Sequence, residues 1–156
     1  MKAFGKLPVT IYPGLLGGVE TPMAASDGVI YAAVNNLCAV IESQDGLAGI
    51  SQCDFATNTG ELVALQGATG KVLWKKTFKA GAYGAATVVN DLVLTATFDG
   101  RLYAFARANG KLVWQKRLPA ISNSTPAVTE NEIIVGAGFA ATPKMKAQVI
   151  AYRLPS

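Results

Sequence analysis

Apolar and polar positions alternate along this chain in short runs, each broken within a few residues by Gly, Pro, Asn or Asp. That is the pattern of β-strands joined by tight turns. Leu62 to Leu65 and Val72 to Trp74 flank a turn at Thr69-Gly70, and Leu92 to Phe98 is a short run rich in Val, Leu, Thr and aromatic residues. No apolar stripe of helical period lasts longer than two turns, so the pattern predicts an all-β protein.

The strands recur. Gly60 to Lys76 set against Gly100 to Lys116 gives eight identities in 17 positions at an offset of 40, among them Gly70 with Gly110, Lys71 with Lys111 and Trp74 with Trp114. Each copy reads as a strand, a turn in which Gly accepts a positive φ, and a second strand: a repeated β-hairpin. An upstream pair recurs as well: Thr21 to Ala32 matches Ala85 to Ala96 at an offset of 64 and Thr125 to Gly136 at 104. Its turns are Ser26-Asp27-Gly28, Asn90-Asp91 and Glu130-Asn131. The repeating unit is therefore four antiparallel strands, A to D, at a period near 40 residues, which predicts a propeller blade.

The segments Ala64-Leu-Gln-Gly-Ala-Thr-Gly-Lys-Val-Leu-Trp74 and Ala104-Phe-Ala-Arg-Ala-Asn-Gly-Lys-Leu-Val-Trp114 resemble the tryptophan-docking motif of the pyrroloquinoline quinone (PQQ)-like propeller family, usually A-x-D-x-x-T-G-K-x-x-W. The resemblance implies an all-β fold: a partial β-propeller of about three four-stranded antiparallel blades carrying tryptophan-docking motifs. In it each indole packs over small residues of a neighbouring blade, with its N–H on a nearby carbonyl. Ala68 and Ala108 are small residues suited to that packing. The sequence departs from the motif at its Asp, where Gln66 and Ala106 stand, which removes a turn-capping carboxylate and predicts less rigid blades. The structural set is Trp74, Trp114, Gly70 and Gly110.

Composition narrows the chemistry. The chain has 156 residues, 51% apolar and 15% charged, with 16 Gly and no His. Without His there is no Ser-His or Cys-His nucleophile pair, no His-ligated haem and almost no zinc chemistry. The net charge of +4 is scattered, its only cluster being Lys75, Lys76 and Lys79, and this reads as a solvated strand end rather than a phosphate track. Nucleic-acid binding is not expected, since Trp74 and Trp114 occupy equivalent packing positions. Cys38 and Cys53 are too far apart for a C-x-x-C pair. Either they form a disulfide worth ~3 kcal/mol of chain entropy, or they are two unrelated buried thiols. Lys2 and Lys6 before the apolar stretch Leu7 to Val19 imitate an export signal, but Pro8, Tyr12 and Pro13 interrupt it. No apolar run approaches the ~20 residues of a membrane span.

Two irregularities interrupt the repeat. The first copy carries about two dozen extra residues between strands B and C, from roughly Asn35 to Thr59, and the third a shorter insert around Thr142 to Ala147. In propellers such connections share one face with the links between blades. The first insert holds both cysteines with Asn35, Asn36, Glu42, Asp45 and Asp54, oxygen donors for calcium or a polar small molecule. The plainer alternative, a solvated loop with a structural disulfide, is preferred. The second irregularity is that Val149 to Tyr152 aligns with strand C, so the last blade is expected to lack strand D; Met1 to Pro8 do not resemble a substitute. Blades are assigned to 15–80, 81–120 and 121–156 of a single partial domain.

The resemblance implies a longer parent of seven or eight blades, of which this would be the C-terminal portion, or else copies that associate through open edges. It also implies a periplasmic or extracellular location. The expected role is a binding or scaffold module with no catalytic residue and no cofactor of its own, whose partners are the remaining blades, a second copy or another protein. The alternative is the C-terminal part of a PQQ- and calcium-dependent alcohol or sugar dehydrogenase, which lacks here the adjacent Cys-Cys pair of many alcohol-oxidising members and any assignable base.

Overall fold

The computed structural model describes residues 6–153. Lys2, most of Met1 to Pro8 and the chain past Arg153, with the expectations placed on them, lie outside the described residues. Fourteen strands run in chain order as β1 (Val9–Ile11), β2 (Ala24–Ser26), β3 (Val29–Asn35), β4 (Ala39–Ile41), β5 (Ile50–Gln52), β6 (Gly60–Gln66) and β7 (Val72–Phe78). They continue as β8 (Thr87–Val89), β9 (Leu92–Thr97), β10 (Arg101–Ala106), β11 (Leu112–Arg117), β12 (Ala127–Val128), β13 (Glu132–Ala137) and β14 (Gln148–Arg153). The protein is an all-β partial propeller. Sheets ordered β2-β3-β6-β7 and β8-β9-β10-β11 are two four-stranded antiparallel blades, and β12-β13-β14 is a third with three strands.

Turn chemistry sets these hairpins. Asp27 and Gly28, both at positive φ (51° and 74°), close β2 onto β3, the twist a two-residue hairpin requires. Gly70 and Gly110 hold φ of 71° and 67° in the turns leading to β7 and β11. The missing motif Asp is partly replaced at Gln66, whose Oε1 accepts the Thr69 hydroxyl at 2.7 Å; in the next blade Asn109 Oδ1 takes the Lys111 N–H at 2.9 Å.

The blades stack because their middle strands are apolar on both faces, as strands buried on two sides must be. Along β9 alternate side chains serve opposite neighbours: Val93 joins Tyr31, Leu62 and Phe105 between the first two blades, while Leu94 and Ala96 join Leu102, Ile133 and Val135 between the second and third. The inner strands are tied in turn, with the Ala86 N–H donating to Pro22 O at 3.3 Å and the Thr87 hydroxyl to Pro126 O at 2.7 Å.

At the outer strands, the Trp74 indole N–H donates to Arg107 O of the next blade at 2.7 Å. Its ring lies against Gly110, where a Cβ would come within 2.7 Å of Trp74 Cε3. The small residue under this ring is thus Gly110, two positions beyond Ala108. Trp114 sits edge-on to Tyr152 of the third blade at 5.7 Å between ring centres.

The first insert is not a plain loop. Its β4 pairs with β1 and β5 in a separate three-stranded sheet, with Val9 opposite Ile41, and single 3-10 turns follow at Gly46–Gly49 and Phe55–Thr57. Part of the apolar N-terminal stretch is therefore a strand of this sheet.

Candidate functional site

The oxygen donors named from sequence fall at several places. Asn35 is the last residue of β3, only 1% exposed, and its backbone forms a bridge with Gly18. Its side-chain Oδ1 and Nδ2 are buried without hydrogen-bond partners, as is Oδ1 of Asn58. The two amides flank Gly81, where a Cβ would come within 2.2 Å of Asn58 Nδ2 and 2.8 Å of Asn35 Oδ1. Asn36 is exposed beside them. The carboxylates hold local structure instead: Glu42 accepts the Ser51 hydroxyl at 2.9 Å, Asp45 the Ser43 hydroxyl at 2.6 Å, and Asp54 caps the turn at Phe55 by accepting Ala56 N–H at 2.8 Å.

Those three carboxylates do not converge. Among the described residues no group of three His, Cys, Asp or Glu side chains is placed to hold a metal. The buried amide pair at Asn35 and Asn58 brings no anionic oxygen, so its donor set does not suit calcium, which favours carboxylates. The residues present therefore do not fit a calcium-bound quinone. Cys38 and Cys53 are joined as a disulfide, with Cys53 N–H also donating to Cys38 O at 3.0 Å; the bond staples the entry of β4 to the exit of β5.

The same face carries a feature the sequence reading missed. Phe55 from the insert, Tyr83 from the link between the first two blades, Phe98 from the β9–β10 turn and Phe139 beyond β13 form one aromatic cluster. Phe98 stands at its centre, 5.4 Å from Phe55, 5.2 Å from Tyr83 and 5.6 Å from Phe139 between ring centres. Phe55, Phe98 and Phe139, with the neighbouring Ala80, Ile121 and Ala141, line an open cavity of about 490 Å³ spanning all three blades, its only charged lining residues being Lys79 and Asp99. Phe55 and Phe139 remain 38% and 52% exposed. A signal was present in the sequence, since Phe55, Phe98 and Phe139 recur 43 and 41 residues apart, close to the blade period.

Hydrogen bonds fix the Tyr83 ring behind the cluster. The Asn58 amide donates to the Tyr83 hydroxyl at 3.2 Å, and that hydroxyl donates to Leu16 O at 2.9 Å, which joins the insert and the N-terminal segment to the inter-blade link. Burial pushes the Tyr83 phenol above its ordinary pKa, so it stays a neutral donor. The resulting site is an apolar concavity with one lysine and one aspartate, Lys79 and Asp99, in its lining. A concavity of this kind is suited to binding an apolar group.

A family model described as outer membrane protein assembly factor BamB matches residues 17–154. The chain belongs to this family of PQQ-like propellers. No curated protein matches the sequence. Among solved structures, the quinohemoprotein alcohol dehydrogenase ADHIIG from Pseudomonas putida HK5 superposes with a TM-score of 0.78 at 16% identity, over 96% of this chain and 28% of that one. A europium-containing methanol dehydrogenase gives 0.67 at 22% identity, over 83% and 26%. The quinohemoprotein alcohol dehydrogenase from Comamonas testosteroni gives 0.68 at 16%, over 86% and 26%. The likeness at these identities is one of fold, and the chain spans about a quarter of the length of these proteins. Among the described residues no helix is long and apolar enough to cross a membrane.

Proposed function

We propose that this chain is a protein-binding scaffold segment of a PQQ-like propeller, acting in the periplasm or outside the cell, with no catalysis of its own. The observation that carries this reading is the aromatic cavity: two half-exposed phenylalanines on a preformed apolar rim are costly to leave in water and are the anchors that protein interfaces use. The family's description, an outer-membrane assembly factor, supports the partner class and the location, and the Cys38–Cys53 disulfide suits an oxidising compartment. Further blades, or a second copy, would join at the outer edge of β14 and at the turn around Gly70, where a Cβ would meet nothing within 4 Å.

The second reading, part of a PQQ- and calcium-dependent dehydrogenase, draws on the fold likeness to the quinohemoprotein alcohol dehydrogenases. It is opposed by carboxylates that are spent on local turns. The two readings separate in one pair of measurements. A photo-crosslinker at Phe139 is expected to capture a protein in cells that the same probe at Val113 does not. Added quinone and calcium are expected to leave the protein without cofactor absorbance or dye reduction. Quinone uptake with dye reduction, and no adduct specific to Phe139, would reject the scaffold reading.

A further inference from the structure

From the charge around the aromatic cavity we infer the chemistry of its occupant: an extended acidic protein segment that seats one bulky apolar side chain among Phe55, Phe98 and Phe139 and lays carboxylates along Lys79 and Lys76. The inference rests on the scaffold reading and specifies what that scaffold takes. A volume of about 490 Å³ accepts a large side chain with neighbouring backbone. A second cavity adjoins the first, sharing Lys79, Ala80 and Asp99 and extending to Lys76 and Arg101, so the two form one groove across the junction of the first and second blades.

The ionic inventory of the groove is uneven. The Asp99 carboxylate takes the Thr97 hydroxyl and the Arg101 Nε–H, the latter at 3.1 Å, so the one acid and one of the bases neutralise each other. Lys75, outside the groove, is paired with Glu61 at 2.9 Å. Lys76 and Lys79 have no ion-pair partner among the described residues, which leaves the rim positive. Lys76 lies near the end of β7 and Lys79 just past it, three positions on, so their Cα atoms are at most ~10 Å apart and both long, flexible side chains can reach acids on one peptide. A partner carrying acids at that interval matches both lysines while its apolar residue fills the bowl. A fatty acid would satisfy a single lysine and would need a deep tube, whereas this groove is open along its length.

The test uses the full chain and dye-labelled peptides in a Gly-Ser background, read by fluorescence anisotropy. One peptide carries Phe followed by two aspartates three residues apart, a second has lysines in place of the aspartates, and a third has Ser in place of Phe. The first is expected to bind about tenfold more tightly than either other peptide, with affinity falling as salt rises. Lys79→Glu is expected to reverse the preference between the aspartate and lysine peptides, and Phe139→Ser, at a half-exposed position, to abolish binding with the far-UV circular dichroism spectrum unchanged. Equal binding of the acidic and basic peptides, no binding of any, indifference to Lys79→Glu, or laurate binding that depends on Lys79 where the peptides fail would each overturn the inference. If a crosslinker at Phe139 still captures a specific protein in that case, the scaffold reading survives and only the partner chemistry is wrong.

Discussion

Trp74 and Arg107 meet across the boundary between the first two blades, where the indole N–H of one donates to the backbone carbonyl of the other at 2.7 Å. The Arg107 side chain turns back over the same boundary. Its guanidinium donates to the Ser26 hydroxyl at 3.1 Å, to Asn90 O at 2.9 Å and to the Asp27 carboxylate. One residue therefore receives the outer strand of the preceding blade and holds its A–B turn. Trp74→Phe keeps an aromatic ring but loses both the N–H donor and part of the indole's packing area, so it is expected to cost at least about 1–2 kcal/mol, from the unpaired Arg107 carbonyl and the space left behind. Urea unfolding followed by far-UV circular dichroism measures this. A midpoint unchanged from the parent would show the bond to be immaterial.

The Arg107–Asp27 pair gives this junction a pH signature. The Asp27 carboxyl lies below its ordinary value of 3.8, first because it accepts hydrogen bonds from Arg107 and Ser26, then through the nearby positive charge. A carboxyl whose folded pKa is depressed contributes stability that is present above the unfolded value and lost as pH falls through the folded one. The contribution should therefore be intact near pH 5 and decline progressively as the pH falls below about 4. Asp27 is 76% exposed, so salt should weaken it. Thermal midpoints of the parent and Asp27→Asn are expected to differ at about pH 5 and to draw together as the pH is lowered below about 4; a gap that does not narrow in acid would exclude the ion pair as its source.

Two glycines that align in sequence should behave differently on substitution. Gly70→Ala meets open space and carries only the strain of a left-handed residue, about 1–2 kcal/mol. Gly110→Ala carries the same strain and also places its Cβ 2.7 Å from the Trp74 ring, which must shift. Gly110→Ala is expected to be the more destabilising by at least about 1 kcal/mol. Equal losses in chemical denaturation would mean that the ring moves aside freely.

The same comparison shows where sequence is legible. The blades could be read because their signal is local and repeated: a period-two pattern, a Gly turn and a Trp, once per 40 residues. The environment of each glycine could not, since it depends on whether a blade lies across from it. The sheet of β1, β4 and β5 was hidden for a related reason. Its strands are three residues each, and Val9 finds Ile41 from far along the chain, a pairing that leaves no local pattern. Of the candidate site, the insert and its face were visible, but its carboxylates proved to serve turns, and the aromatic cavity emerged only once residues from four separate connections were brought together.

Opening the Cys38–Cys53 disulfide should loosen the insert and spare the blades. The bond closes a loop of sequence separation 15, worth ~3 kcal/mol in chain entropy, around a small sheet of three-residue strands. A Cys38→Ala/Cys53→Ala double variant is expected to show faster amide exchange in β4 and β5, with β9 and β10 protected as before. Uniform acceleration across all strands would indicate that the staple supports the whole domain.

Phe98 and Phe139 share the aromatic cavity, yet their energetic roles should separate. Phe98 is partly buried and touches three rings, so Phe98→Ala removes three aromatic contacts, each worth ~0.5–1.5 kcal/mol beyond burial. A loss of about 3 kcal/mol is expected. Phe139 is 52% exposed and pairs with Phe98 alone among these rings, so Phe139→Ala should cost less than about 1 kcal/mol. Differential scanning calorimetry on the two variants decides the matter. If Phe139→Ala proves as damaging as Phe98→Ala, the outer ring is part of the core and the cavity is a packing feature. If the losses separate as stated, Phe139 is held on the rim at little benefit to the fold, as a side chain kept for contact with another molecule would be.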